Sequence, residues 1–261
     1  ASIHAAVQAV DEAVTASSAA DAEIDVSAPE GLAYLPFQRA GIAYAQTRPA
    51  TLLADEMGLG KTVQTIGLIN ADPSIASVLV VCPASLKLNW QRELRRWLTR
   101  PLTVGIVNGE VPDVDVRITN YEQLKKLPLA PVDLLVVDEA HYCKNPKAQR
   151  TKTVGGWAEQ ARRKLLLTGS PIVNRPIELH SLLTMLDPAA WPFWAYANRY
   201  CAANRTRWGW DFSGAAHLDE LQHRLRATLM IRRLKADVLT ELPPKRRQLL
   251  TLPIAGYSAA L

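Results

Sequence analysis

A glycine-rich turn wedged between an apolar run and a helix restricts a fold more than composition does, and this chain carries one. DEMGLGKT, Asp55 to Thr62, follows the run TLLA and precedes a helical pattern. Gly58 and Gly60 let the backbone curl so that successive N–H groups face one centre, and the helix opening at Lys61 adds the positive end of its dipole. Such a loop cradles phosphate oxygens, with Lys61 meeting the β- and γ-phosphates and Thr62 offering a hydroxyl to Mg2+. Glu56, Met57 and Leu59 complete it. The usual pattern has glycine seven residues before the threonine, and here that position is Asp55. The plain alternative is a glycine turn capping a buried helix.

The surrounding sequence has the texture such a loop needs. VLVVC, Val104 to Val107, Val116 to Thr119, Leu134 to Val137 and Leu165 to Thr168 are short runs rich in Val, Leu and Ile, and TLLA is another. Helical patterns fall between them, after Lys61 and from Leu86 to Leu98. That alternation predicts βαβ units and an α/β fold, an open doubly wound parallel sheet buried on both faces. Ligands of such sheets bind beyond the carboxyl ends of the strands. VVDEAH, ending at His141, puts Asp138 and Glu139 at one of those ends. Asp138 is the expected Mg2+ ligand, through water, and Glu139 the group that orients and deprotonates an attacking water. Read alone, His141 is more simply a satisfied core histidine.

Charge is unevenly spread. Residues 1–30 hold six acids and no Lys or Arg, so the remainder carries 30 bases against 19 acids, or +11. A basic body favours polyanions through counterion release, although ordinary solubilising charge explains it as well. Arg92, Arg95, Arg96 and Arg100 crowd one helix, Arg162, Arg163 and Lys164 precede a strand, and Arg232, Arg233 and Lys235 sit together, as do Lys245, Arg246 and Arg247. Each is a candidate backbone contact, with a solvated face as the commoner explanation. Three cysteines, Cys82, Cys143 and Cys201, fit neither a disulfide framework nor a zinc spacing and are expected to be reduced and structural. No uncharged apolar run approaches the roughly 18 residues of a membrane span. With no secretory signal layout at the start, cytoplasm is the expected compartment.

Residues 1–30 predict an Ala-rich extension with one short amphipathic helix at Ile3, Val7, Val10 and Val14. After Pro188 the texture turns aromatic, with Trp191, Trp194, Tyr196 and Tyr200, then WGWDFSG and a helix near Leu218 to Leu229, which predicts a helical protrusion over 188–240. Trp208 to Phe212 suits either base stacking or a small hydrophobic core. Residues 241–261 open on paired prolines and read as a connector.

The order and wording of these motifs resemble the Swi/Snf type of double-stranded DNA translocases, a branch of the second helicase superfamily, from about Gly31 to Leu261. LPFQRAG resembles that family's adenine-recognition motif, with Gln38 in the place of its glutamine. CPASLKLNWQREL and ITNYE look like its DNA-contacting motifs, which implies phosphate contacts from Pro83, Ser85, Thr119 and Asn120. Without the family, Trp90, Leu94 and Trp97 read as core and Ser85 as a helix cap. LLLTGSPIVNRPIELHSLL matches the coupling motif, in which Thr168, Gly169 and Ser170, with His141, relay the γ-phosphate state to nucleic acid and to a second lobe. MIRRLKADVLTELPPK resembles the segment leaving the first lobe, and RYCAANRTRWGWDFSG sits closest to the annealing-helicase branch.

The resemblance implies a RecA-like first lobe over 31–187 that uses ATP and Mg2+ on double-stranded or branched DNA, at the nucleoid in a bacterium or the nucleus in a eukaryote. It implies a second lobe, carrying the arginine finger and most simply in the same polypeptide, without which hydrolysis is weak. An RNA-dependent helicase is the enzymatic alternative, and MIRRLKADVLTELPPK argues against it. A nucleotide-sensing scaffold is the non-enzymatic one, and an intact Glu139 argues against that.

Overall fold

The computed structural model describes residues 3–169 and 175–239. The chain runs α1 (Ile3–Ala16), α2 (Pro36–Gln46), β1 (Ala50–Leu53), α3 (Lys61–Ala71), β2 (Val78–Cys82), α4 (Lys87–Trp97), β3 (Val104–Ile106), β4 (Val116–Asn120) and α5 (Tyr121–Leu124). It continues through β5 (Val132–Val137), α6 (Gln149–Gln160), β6 (Ala161–Leu167), α7 (Pro176–Leu186), α8 (Phe193–Tyr200), β7 (Asn204–Thr206), β8 (Gly209–Asp211), α9 (Leu218–Thr228), β9 (Met230–Ile231) and α10 (Lys235–Val238).

Seven strands make one sheet in the order β3-β4-β2-β5-β6-β1-β9, and every neighbouring pair runs parallel. This is the doubly wound α/β sheet that the apolar runs predict. Side chains on a strand alternate faces, so a strand covered on both sides reads as continuously apolar. In β2, Val78, Val80 and Cys82 enter one core while Leu79 and Val81 enter the other. The first core packs Ile42, Ile66, Trp90 and Leu94 from α2, α3 and α4. The second packs Tyr121, Trp157, Leu183, Tyr196 and Leu225 from α5 to α9.

Two features go beyond the strands that the sequence predicts. β9 is only two residues long, yet it extends the sheet past β1, with Leu52 and Ala54 N–H donating to Leu229 and Ile231 carbonyls at 2.8 Å each. Its outer edge is met by the N-terminal extension, where Ser17 Oγ donates to the Met230 carbonyl at 2.7 Å and the Arg232 N–H to the Ser17 carbonyl at 3.1 Å. In the stretch after Pro188, β7 and β8 form an antiparallel hairpin between α8 and α9. The predicted helix from Leu86 to Leu98 is a 3-10 turn, Ala84–Leu86, followed by α4.

Several basic residues serve the scaffold. Arg163 donates to the carbonyls of Ala45, Gln46 and Arg48 at the end of α2 and pairs with Asp72. Arg100 donates to the carbonyls of Ile69, Asp72 and Ile75 at the end of α3. Cations there satisfy carbonyls that a helix leaves unpaired and oppose its dipole. Neither guanidinium is free for a polyanion. The three cysteines are buried and unbridged, with burial pushing the thiols of Cys82 and Cys143 up to about 12. Among the described residues no helix is long and apolar enough to cross a membrane.

Candidate active site

The loop Asp55 to Thr62, the VVDEAH stretch and the ends of β2, β4 and β6 fall at the carboxyl edge of the sheet, whereas RYCAANRTRWGWDFSG holds the separate hairpin β7–β8. β1 delivers the loop Asp55 to Thr62, β2 ends before Pro83, β4 ends at Asn120, β5 ends before Asp138, and β6 ends before Thr168. Gly58 and Gly60 take φ values of +88° and +69°, which only glycine adopts without strain, and Gly60 caps α3. Thr62 is half-buried in the first turn of α3. Lys61 Nζ donates to the Asp55 carbonyl at 2.9 Å, at the mouth of the loop. Burial pulls its pKa below the usual lysine value, against the opposing pull of Asp55, Glu139 and Asp138.

Asp138 is nearly buried, and desolvation raises its pKa above the usual carboxylate value. Two donors work in the other direction. Trp90 Nε1 reaches Asp138 Oδ2 at 2.8 Å, and the Glu139 N–H reaches Oδ1 at 2.9 Å. Tyr121, from α5, donates its hydroxyl to the Asp138 carbonyl at 2.6 Å. Glu139 sits in the left-handed region at φ 51°, a conformation costing about 1–2 kcal/mol outside glycine. That turn swings the carboxylate out of β5's line, where Oε2 lies 3.2 Å from His141 Nδ1. His141 is half exposed and stacked beside Tyr142, so the plain expectation of a core histidine does not describe it.

The remaining candidates divide. Gln38 is buried beside the loop, close enough that a Cβ on Gly60 would stand 2.5 Å from its Nε2. A Cβ on Gly169 would meet Met57 at 2.7 Å and Lys61 Nζ at 3.7 Å, so the end of β6 touches the loop directly. Thr168 is buried at the same strand end, and Ser170 lies outside the described residues. Ser85 is exposed and Pro83 half-buried, whereas Thr119 is wholly buried with its hydroxyl turned to the Asn120 carbonyl at 3.4 Å. Asn120 donates to Glu122 while its Oδ1 is buried without a partner.

Asp55 shows why glycine is absent from the start of the loop. Its carboxylate is fully buried and ion-paired with Arg233, two residues beyond β9, and it also accepts from Gln64 Nε2 at 3.0 Å. Arg233 goes on to bond Gln64 Oε1 and the Phe37 carbonyl. The side chain of Asp55 therefore faces inward, and only its backbone belongs to the loop mouth. Neither Arg233 nor the Trp90 contact is readable from spacing: one looks like a basic cluster, the other like core. Tyr121 lies inside ITNYE, so a signal for it existed.

Comparison with known proteins places this geometry. The SNF2-related domain family matches residues 37–259. A Bos taurus SWI/SNF-related matrix-associated actin-dependent regulator of chromatin subfamily A-like protein 1 is 39% identical over 222 residues, covering 81% of this chain and 24% of that protein. The Mus musculus DNA annealing helicase and endonuclease ZRANB3 is 39% identical over 235 residues, covering 82% of this chain and 22% of that protein. The chain thus spans about a quarter of the length of these curated relatives. In fold it is similar to the Sulfolobus solfataricus SWI2/SNF2 ATPase core in complex with dsDNA, with a TM-score of 0.68, 24% identity, and coverage of 84% of this chain and 49% of that one. With the family match running from the start of α2 past β9, the chain belongs to the SNF2-related family.

Proposed function

We propose that this chain is the first ATPase lobe of an ATP-dependent translocase on double-stranded or branched DNA. In this reading residues 31–187 form the lobe, 188–240 an appendage and 241–261 a connector to a second lobe, with 1–30 an extension at the sheet edge. The observation that carries it is the convergence of Lys61, Asp138 and Glu139 on one loop mouth, framed by strand ends that hold Ser85 and Asn120.

The residues present fit MgATP. A turn of positive-φ glycines exposes N–H groups, a desolvated lysine faces it, and two carboxylates stand across from it. The N–H groups from Gly58 to Thr62 and the Lys61 ammonium bind the phosphates, and Gln38 meets the base edge. Thr62 and Asp138 would hold the metal. Mg2+ held there would supply positive charge that offsets the negative charge developing during phosphoryl transfer. Glu139 orients the attacking water and accepts its proton, with His141 beside it to sense the change. Thr168 and Gly169, the latter against Met57 and Lys61, report the γ-phosphate state toward the DNA side. The names of the relatives, a chromatin regulator and an annealing helicase, and the dsDNA bound by the structural neighbour support DNA as the track.

The test is ATP turnover by the two-lobed polypeptide, wild type beside Glu139→Gln, without nucleic acid and with fork DNA, plain duplex or RNA. Duplex or fork DNA is expected to raise turnover, and the substitution to lower it by roughly 10²–10⁴ while MgATP still binds. Stimulation by RNA alone, or turnover indifferent to Glu139, overturns the proposal.

A further inference from the structure

The hairpin β7–β8 and the start of α8 carry an aromatic surface, of which Phe212 also packs against the second core. Trp208 at its tip is 85% exposed, and Trp194, Trp210 and Phe193 beside it are 51%, 50% and 38% exposed. Trp194 meets Trp210 at 5.1 Å and Phe193 meets Phe212 at 5.2 Å, both edge to face. These four rings build a small platform, while Trp208 stands clear of it.

The tip is held, not loose. Thr206 Oγ1 accepts from the Trp208 N–H at 3.2 Å and donates to the Gly209 carbonyl at 2.8 Å, and Gly209 supplies φ +122° for the turn. Holding an indole in water this way forgoes the stabilisation that burying it elsewhere would give. Two exposed guanidinium groups accompany it. Arg207 lies over the Trp208 ring at 4.9 Å, and Arg205 pairs across the hairpin with Trp210. The hairpin's one acid, Asp211, accepts from the Ser213 N–H at 2.9 Å. The surface therefore offers cations and π faces together.

We infer that the β7–β8 hairpin is a binding surface for unpaired nucleotides, with Trp208 stacking on a base and Arg205 and Arg207 meeting the flanking phosphates. Paired bases keep their faces inside the duplex, so flat π faces beside a phosphate chain are presented only by single-stranded segments. The inference rests on the DNA reading for its ligand class and does not involve the nucleotide loop, so either can fail without the other.

The test is fluorescence anisotropy of this chain with a blunt duplex and with the same duplex bearing a single-stranded arm, comparing wild type, Trp208→Ala, Trp208→Phe and Arg207→Ala. MgATP binding by each variant serves as the check on folding. Trp208→Ala is expected to weaken binding to the armed duplex about tenfold, the scale of one base stacked on one aromatic ring. Blunt-duplex affinity should not change, Trp208→Phe should recover most of the loss, and Arg207→Ala should reduce binding and its salt dependence. An equal loss on both duplexes, no loss on either, or a wild type indifferent to the arm overturns the inference. So does a Trp208→Ala effect confined to self-association in sedimentation equilibrium, which would make a second copy or another protein the occupant.

Discussion

The Trp90 indole is where a residue that looks structural meets the proposed chemistry. It is fully buried in the first core, as its helical spacing with Leu94 predicts, and its one polar atom is aimed at Asp138 Oδ2. A donor fixed in packed aromatic surroundings holds a carboxylate in one rotamer, and partners of this kind typically set about 10- to 100-fold in metal affinity. Because Trp90 follows Ser85 on the same segment, and Tyr121 follows Asn120, both proposed DNA-facing strand ends touch the VVDEAH stretch through hydrogen bonds, Trp90 to the Asp138 carboxylate and Tyr121 to the Asp138 and Glu139 carbonyls. Trp90→Phe should therefore weaken MgATP binding by about tenfold and leave binding of metal-free ATP unchanged. Calorimetric titration of ATP with Mg2+ and with a chelator separates the two. An equal loss in both would reduce Trp90 to packing.

At the scale of elements, the helices nearest the site are set by close approach more than by propensity. Gly67 of α3 faces α2, and a Cβ there would stand 2.2 Å from Ile42 Cδ1. Gly155 of α6 has nothing within 4 Å. Alanine gains up to about 1 kcal/mol over glycine in a helix interior, so Gly155→Ala should stabilise by about 0.5–1 kcal/mol. Gly67→Ala should destabilise by about 1–3 kcal/mol through overpacking. Denaturant midpoints measure both, and matching signs would mean that α2 can shift at little cost. Elements of this kind also mark what the sequence could tell. VLVVC, VVDEAH and DEMGLGKT were legible because a doubly buried strand and a phosphate-type loop each impose a local composition. β9 was not, because two residues beside Arg232 and Arg233 carry no period, and their strand character comes wholly from β1. β6 begins at Ala161, ahead of the Leu165 start that its apolar run predicts, because Arg162, Arg163 and Lys164 point to caps and ion pairs at its polar end. The hairpin β7–β8 was hidden for the opposite reason: its aromatic residues suit a helix or a strand equally.

Across the whole molecule, the loop that opens α3 is anchored by residues 178 positions later in the chain. Asp55 and Arg233 are 0% and 1% exposed, and their pair also ties in Gln64 of α3 and the Phe37 carbonyl of α2. The stretch after β9 continues this tie through the Arg233 carbonyl, which accepts from the Glu56 N–H at 3.0 Å, and α10 through its Lys235 N–H, which donates to Glu56 Oε2 at 2.7 Å. The segment after β9 is thus part of the frame of the loop Asp55 to Thr62. A buried pair is weak evidence of net stabilisation, but removing one partner strands the other charge and typically costs about 3–5 kcal/mol. Arg233→Met should lower the unfolding free energy by that amount and weaken MgATP binding with it. Asp55→Asn/Arg233→Met, which strands no charge, should lose less than the two single changes added together, with a coupling of at least about 1 kcal/mol. Urea unfolding of the four proteins gives the cycle directly. Strict additivity would show that the loop and the segment after β9 are energetically separate.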